Sequence, residues 1–235
     1  MSEAFLLFLH ALWTCVQALP MTLLMTGLSV LLGFCLAVPL AVMHHRGVTI
    51  KARLVRGFVY FFTGTPLLVQ IYLIYYGLPS MDWIGRLMQL PAFSFLKGGF
   101  IWALIALTLN TAAYSTVIFS GAISNTDAGE VEAARAFGMW PRQVMWRVIL
   151  PSSLRRALPA YSNEVIMTMH STALVSTVTI MEVTNAAQVF VVKTYHSFIG
   201  YSAAAVIYLA LTLVLIAAFK LLEKRYMTHL RPQAR

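Results

Sequence analysis

Charged side chains are confined to a few short stretches of this sequence, and what lies between them is long and apolar. No Lys, Arg, Asp or Glu occurs between Glu3 and Arg46. That run is too long for one crossing of a bilayer, which takes about 20 apolar residues, and Pro20 divides it. Residues 5–17 are too few to cross and are expected as an interfacial helix, with span 1 at 20–43. Later apolar runs predict span 2 at 57–78, span 3 at 98–120, span 4 at 159–181 and span 5 at 202–222. No basic segment precedes the first run, so no cleaved leader is expected. The pattern is that of an all-α integral membrane protein, a single transmembrane domain over 1–235 with about five transmembrane helices.

Composition agrees. Hydrophobic residues fill 60% of 235 positions, charged residues 11%, and mean hydropathy is +0.77, where soluble domains have about 45–50% apolar and about 25% charged residues. The net charge of +9 would suggest nucleic acid in a soluble protein. Here its distribution points to the membrane instead. Arg46, Lys51, Arg53 and Arg56 flank span 2, and Arg135, Arg142, Arg147, Arg155 and Arg156 lie in the 121–158 loop. Lys220, Lys224, Arg225, Arg231 and Arg235 lie at the C-terminus. Arg86, Lys97 and Lys193 alone fall on the other side. By the positive-inside rule the N-terminus is outside and the 121–158 loop and the C-terminus are cytoplasmic. Cys15 and Cys35, both in apolar runs, read as two free buried thiols. No Cys or His pair has metal-ligand spacing, and no cofactor is expected.

The cytoplasmic loop is the most informative segment. Residues 128–137 suit a helix with Asp127 as N-cap and Glu130 at N3, close to a capping box. Gly138 would end it in a left-handed cap. Pro141 suits the first turn of a second helix running through Val148, limited by Pro151. Within this loop, Glu132-Ala133-Ala134, Gly138 and Leu150-Pro151 resemble the "EAA" loop of ABC importer permeases, with Val148 where isoleucine is usual. "GTPLLVQ" (64–70) resembles the polar amino-acid permeases, with Thr63 where an arginine is usual. "LTLNTAAY" (107–114) and "LPAYSNEV" (158–165) are similar to the same subfamily.

The resemblance implies an importer subunit for histidine, lysine, arginine, ornithine or opine-like solutes in the bacterial cytoplasmic membrane. Five spans with the N-terminus outside is also what it implies. The 121–158 loop would form a coupling helix in a groove of an ATPase subunit. Glu132 would pair there with a basic residue, and Gly138 would turn the chain tightly against it. Partners would be two ATP-binding subunits, a second permease subunit, related or identical, an extracytoplasmic solute-binding protein, the amino-acid substrate and membrane lipid. No G-x-x-x-x-G-K-[ST] loop is present, so ATP is expected on another chain and this chain is not expected to be an enzyme. The alternative function is a stand-alone secondary transporter or channel.

Span 4 carries a carboxylate. On a regular helix Tyr161, Glu164, Thr168, Ser171, Thr172, Ser176 and Thr179 share about 140° of arc, with Asn163 and His170 on another side. Such a stripe faces a bundle interior or cavity, although Ser and Thr also bond back to their own helix. Glu164 has three readings: pairing with Arg155 or Arg156, a protonated carboxyl, or a carboxylate lining a substrate path. Asn110 and Gln70 either line the same path or bond between helices. The candidate path is Glu164, Asn163, Thr168, Ser171, Thr172, Asn110 and Gln70. His170 is expected to be buried and neutral.

Overall fold

A computed structural model describes residues 3–45 and 49–227. Arg46, Arg231 and Arg235, three of the basic residues expected on the cytoplasmic side, lie outside the described residues. Every element among the described residues is helical. Helix α1 spans Glu3–His45, α2 Ile50–Gly64, α3 Leu67–Tyr72, α4 Asp82–Gln89, α5 Gly99–Ser124 and α6 Ala128–Ala136. They are followed by α7 at Pro141–Val144, α8 at Leu150–Ser171, α9 at Val183–Thr194 and α10 at Ser197–Tyr226. Helices α1, α5 and α10 are long and apolar enough to cross a membrane. The count reaches five if α2 with α3, bent by 109°, and residues 141–178 with α9, bent by 46°, each form one span.

Two prolines behave differently from each other. Pro20 is expected to divide an interfacial helix at 5–17 from span 1, yet α1 runs through it, and through Pro39, without a break. A proline removes one hydrogen bond, whereas ending the helix in hydrocarbon would orphan several backbone groups at once. The first half of α1 therefore does not lie apart. Ala11 and Cys15 pack with Val183, Ala187, Phe190, Ala203, Ala204 and Ile207 of α9 and α10. Span 2, expected unbroken at 57–78, is interrupted at Thr65-Pro66. Thr65 is extended (φ −116°, ψ 148°), as a residue before proline prefers.

The other departures are smaller. Pro151 does not limit the second loop helix, because α7 passes through a π-turn, Met145–Ile149, directly into α8. The Leu150 N–H bonds the Met145 carbonyl, five residues back, a wider turn that accommodates a proline lacking a donor. Cys15 is buried, but Cys35 is exposed on α1; both are free thiols.

Three buried clusters share α1 as their common wall. The first joins Met25 to Ile71, Leu107 and Val175, the second is the α9–α10 cluster above, and the third joins Ala37 and Ala41 to Phe119, Met145 and Ala157.

Candidate functional site

The break in α2–α3 frees backbone carbonyls inside the helical bundle, and two side chains answer them. Gln70 Nε2 donates to the carbonyls of Phe62 (2.8 Å) and Thr65 (3.0 Å) and to Thr65 Oγ1 (2.8 Å). Asn110 Nδ2 on α5 donates to Gln70 Oε1 at 2.9 Å and to the Phe62 carbonyl at 3.3 Å. A buried carbonyl without a partner is costly, so these amides hold the 109° bend open. Of the two readings left open for Gln70 and Asn110, interhelical bonding describes Gln70. Asn110 bonds between helices and also borders a cavity.

That cavity, about 560 Å³, lies between the α2–α3 break, α5 and α8, within the range of about 300–1,000 Å³ usual for small-molecule sites. Thr65, Pro66 and Leu67 form one wall, Leu107, Asn110, Tyr114 and Ile118 the second, and Ala160, Asn163, Glu164, Met167, Thr168 and Ser171 the third. Glu164 Oε1 accepts hydrogen bonds from Thr111 Oγ1 (2.8 Å) and Thr168 Oγ1 (3.4 Å), and Thr168 Oγ1 donates to Thr111 Oγ1 at 3.1 Å. No ion pair reaches Glu164 among the described residues. Arg156 is instead held by Glu130 at 3.6 Å.

Five of the candidate path residues therefore border one cavity: Asn110, Asn163, Glu164, Thr168 and Ser171. Asn163, expected to face elsewhere, shares the wall because the face of α8 toward the cavity is rotated from the expected stripe, taking in Ala160, Asn163 and Met167 and leaving out Tyr161 and Thr172. Thr172 does not line it. Its hydroxyl donates to the Met169 carbonyl at 2.7 Å, and at 100° per residue it stands about 40° beyond Thr168, past the edge of the arc that faces the cavity. Tyr161 turns away to stack near Phe34 and Phe119. His170 is exposed rather than buried, with Nε2 2.9 Å from Thr212 Oγ1.

In the 121–158 loop, α6 is capped by Asp127, whose Oδ1 accepts from the Gly129 N–H at 2.7 Å. The reciprocal half of a capping box is replaced by the ion pair of Glu130 with Arg156. Gly138 has φ +75°, and the Met139 N–H reaches back to the Ala134 carbonyl at 3.2 Å, a left-handed helix end. Glu132, Ala133 and Gly138 are exposed, while Ala134 and Leu150 are buried. Phe137 is 86% exposed and Trp140 76%, so the corner presents apolar surface next to Arg135 and Arg142.

Residues 29–228 match the family described as the binding-protein-dependent transport system inner membrane component. The chain belongs to this family. It is 44% identical over 177 residues to the histidine/lysine/arginine/ornithine transport system permease protein HisM of Escherichia coli, covering 75% of this chain and 74% of HisM. It is 40% identical over 214 residues to the nopaline transport system permease protein NocM of Agrobacterium fabrum, covering 91% and 88%. The crystal structure of an amino acid ABC transporter with histidines superposes with a TM-score of 0.80 at 32% identity, over 96% of this chain and 100% of that one. The MetNI methionine ABC transporter in an inward-facing conformation shares the fold, with a TM-score of 0.74 at 21% identity. This protein is a multi-pass permease subunit of an ABC importer, not a stand-alone channel or an enzyme.

One acidic residue of the permease is absent from the candidates that the sequence offers. Glu182 has no exposed surface, one position past the expected end of span 4. Its Oε1 accepts from the Asn185 N–H (2.7 Å), and its Oε2 from the Thr184 N–H (2.9 Å) and the Tyr208 hydroxyl (2.7 Å). It caps α9 and fastens it to α10. The available signal is Glu-Val-Thr-Asn following an apolar run, an N-cap by carboxylate.

Close packing behind Glu164 gives a testable consequence. A Cβ on Gly33 of α1 would meet the Thr111 side chain, with the Ala112 nitrogen at 3.4 Å behind it. Gly33→Ala is expected to displace the hydroxyl that donates to Glu164 and to cost about 1–3 kcal/mol by overpacking. The solubilised complex should melt several degrees lower and uptake should fall. An unchanged melting temperature and uptake would show that this contact is slack.

Proposed function

We propose that this permease forms half of the translocation path of an importer for basic amino acids or opine-like derivatives, in the bacterial cytoplasmic membrane. The observation that carries the substrate class is Glu164: a carboxylate on a cavity wall, held by hydroxyls and, among the described residues, by no cation. A carboxylate in low dielectric is stable only with a partner. A substrate ammonium or guanidinium supplies one in transit, and Asn110, Asn163 and Ser171 offer polar groups for the substrate's other end. HisM and NocM are named for basic amino acids and nopaline, which supports the same class.

In this reading five spans run with the N-terminus outside and the C-terminus inside, each bent pair counting as one. Helix α6 is the coupling helix, seated with Glu132 and the Gly138 corner against one of two ATPase subunits. A second permease, related or identical, and an extracytoplasmic solute-binding protein complete the system. Purification in mild detergent should bring the ATPase along, and in liposomes the assembled complex should import lysine or arginine as ATP is hydrolysed. Import restricted to neutral or acidic solutes would overturn the substrate class; transport by the lone subunit would overturn the assembly. For topology, a reporter active only outside should work when fused after Ser80 or Val192 and stay silent after Asp127. The reverse pattern would overturn the orientation.

A further inference from the structure

Arg156 joins the end of α5, helix α6 and helix α8 at a single point. Its Nη1 lies 3.6 Å from Glu130 Oε1 on α6 and donates to Ser152 Oγ at 2.7 Å. Its Nη2 donates to Thr126 Oγ1, just past α5, at 2.9 Å and to Ser153 Oγ at 3.4 Å. Thr126 and Ser153 touch each other at 3.2 Å and are tied to their own helices by bonds to the Ile123 and Ile149 carbonyls. The Arg156 side chain is 20% exposed, against 40% for Glu130. Its buried Nε–H has no partner among the described residues.

Helix α6 has few other anchors. Ala134 is its one buried residue, and short turns at 125–127 and 137–140 join it to its neighbours. Whatever pushes on α6 reaches α8 through the chain from 137 to 149 and, more directly, through Arg156. Glu164 stands eight residues further along α8, about 12 Å at 1.5 Å per residue. A planar guanidinium engages three elements at once through fixed donors; an ammonium holds one point.

We propose that Arg156 is a positioning residue that locks α6 to α8, so that a displacement of the coupling helix is delivered to the helix bearing Glu164. This rests on the reading of α6 as the coupling helix. The test measures uptake per ATP hydrolysed by the complete complex in liposomes, with lysine and arginine as probes. Arg156→Gln should assemble with the ATPase and hydrolyse ATP, while uptake per ATP falls roughly tenfold, within the range usual for coupling between sites. Arg156→Lys should fall in between. Glu130→Arg combined with Arg156→Glu should recover a several-fold higher ratio than either single change.

An Arg156→Gln complex with an unchanged ratio would overturn the lock. So would parallel loss of assembly and activity without recovery in the exchanged pair, which would mark a merely structural role. Gly138→Asp separates this failure from failure of the coupling reading itself. If that variant keeps the ATPase bound and working, α6 is not the coupling helix; if it does not, only the assignment of Arg156 falls.

Discussion

Glu164→Gln is expected to cut uptake of lysine- or arginine-like solutes by roughly tenfold or more, about 1.4 kcal/mol, with assembly and ATP hydrolysis intact. The amide keeps the size of the side chain and an oxygen for the Thr111 hydroxyl, which now donates to Oε1 at 2.8 Å. Packing against α5 therefore survives and only the charge is lost. An acidic residue at mid-membrane costs on the order of 3 kcal/mol on insertion scales, and no basic side chain among the described residues offsets it. On the proposed reading a cationic substrate would do so while it passes. Neutral solutes, if carried at all, should be unaffected. Undiminished uptake of basic solutes by a stable Gln variant would remove Glu164 from the substrate path.

Gly138→Asp should abolish transport by preventing the ATPase from binding, and the geometry of the corner locates the damage. A Cβ at this position meets nothing within 4 Å, so the permease itself should insert and fold. The φ of +75° costs a non-glycine residue roughly 1–2 kcal/mol, less for Asp and Asn, which visit this region. If the corner is the proposed docking surface, a charge brought onto it is more damaging, several kcal/mol if unpaired, beyond about a hundredfold in affinity. Gly138→Asn shares the backbone strain without the charge and should lose far less. The measurement is recovery of the ATPase with tagged permease, alongside uptake. Equal losses in both variants would assign the effect to backbone strain; normal recovery and uptake with Asp would dismiss the docking surface.

How much of this is readable in the chain is clearest at its prolines. Apolar runs and the distribution of Lys and Arg foretell a helical membrane protein, and α5 and α10 fall close to their expected spans. Pro20 and Pro66 are both potential breakers, yet only Pro66 breaks its helix. The difference lies in what stands nearby in space: Gln70 and Asn110 receive the carbonyls freed at Thr65-Pro66, and Asn110 is 44 positions further along the chain than Pro66. No local pattern contains that partner. The loop corner is legible because its parts are local, Asp127 capping α6 and Gly138 ending it. The π-turn that absorbs Pro151 is not. Thr172 misses the cavity wall because a helical wheel groups the polar residues without saying which part of their arc faces the cavity. Glu182 is half legible: its cap on the Thr184 and Asn185 N–H groups is local, while its bond from Tyr208 is made only by folding.

The uninterrupted α1 also bears on how the protein is made. Its 43 residues form a rod of about 65 Å, and its buried stripe runs through Ala11, Cys15, Ala18, Thr22, Met25, Ser29, Gly33, Ala37 and Ala41. Small side chains at that spacing let other backbones approach closely, but they offer little to hold while the helix is alone in lipid. Its partners α5, α8, α9 and α10 are all synthesised later, the last of them at the far end of the chain. The buried stripe of α1 is therefore filled in steps as its partners are made, and the part that faces α10 stays open until that helix is added.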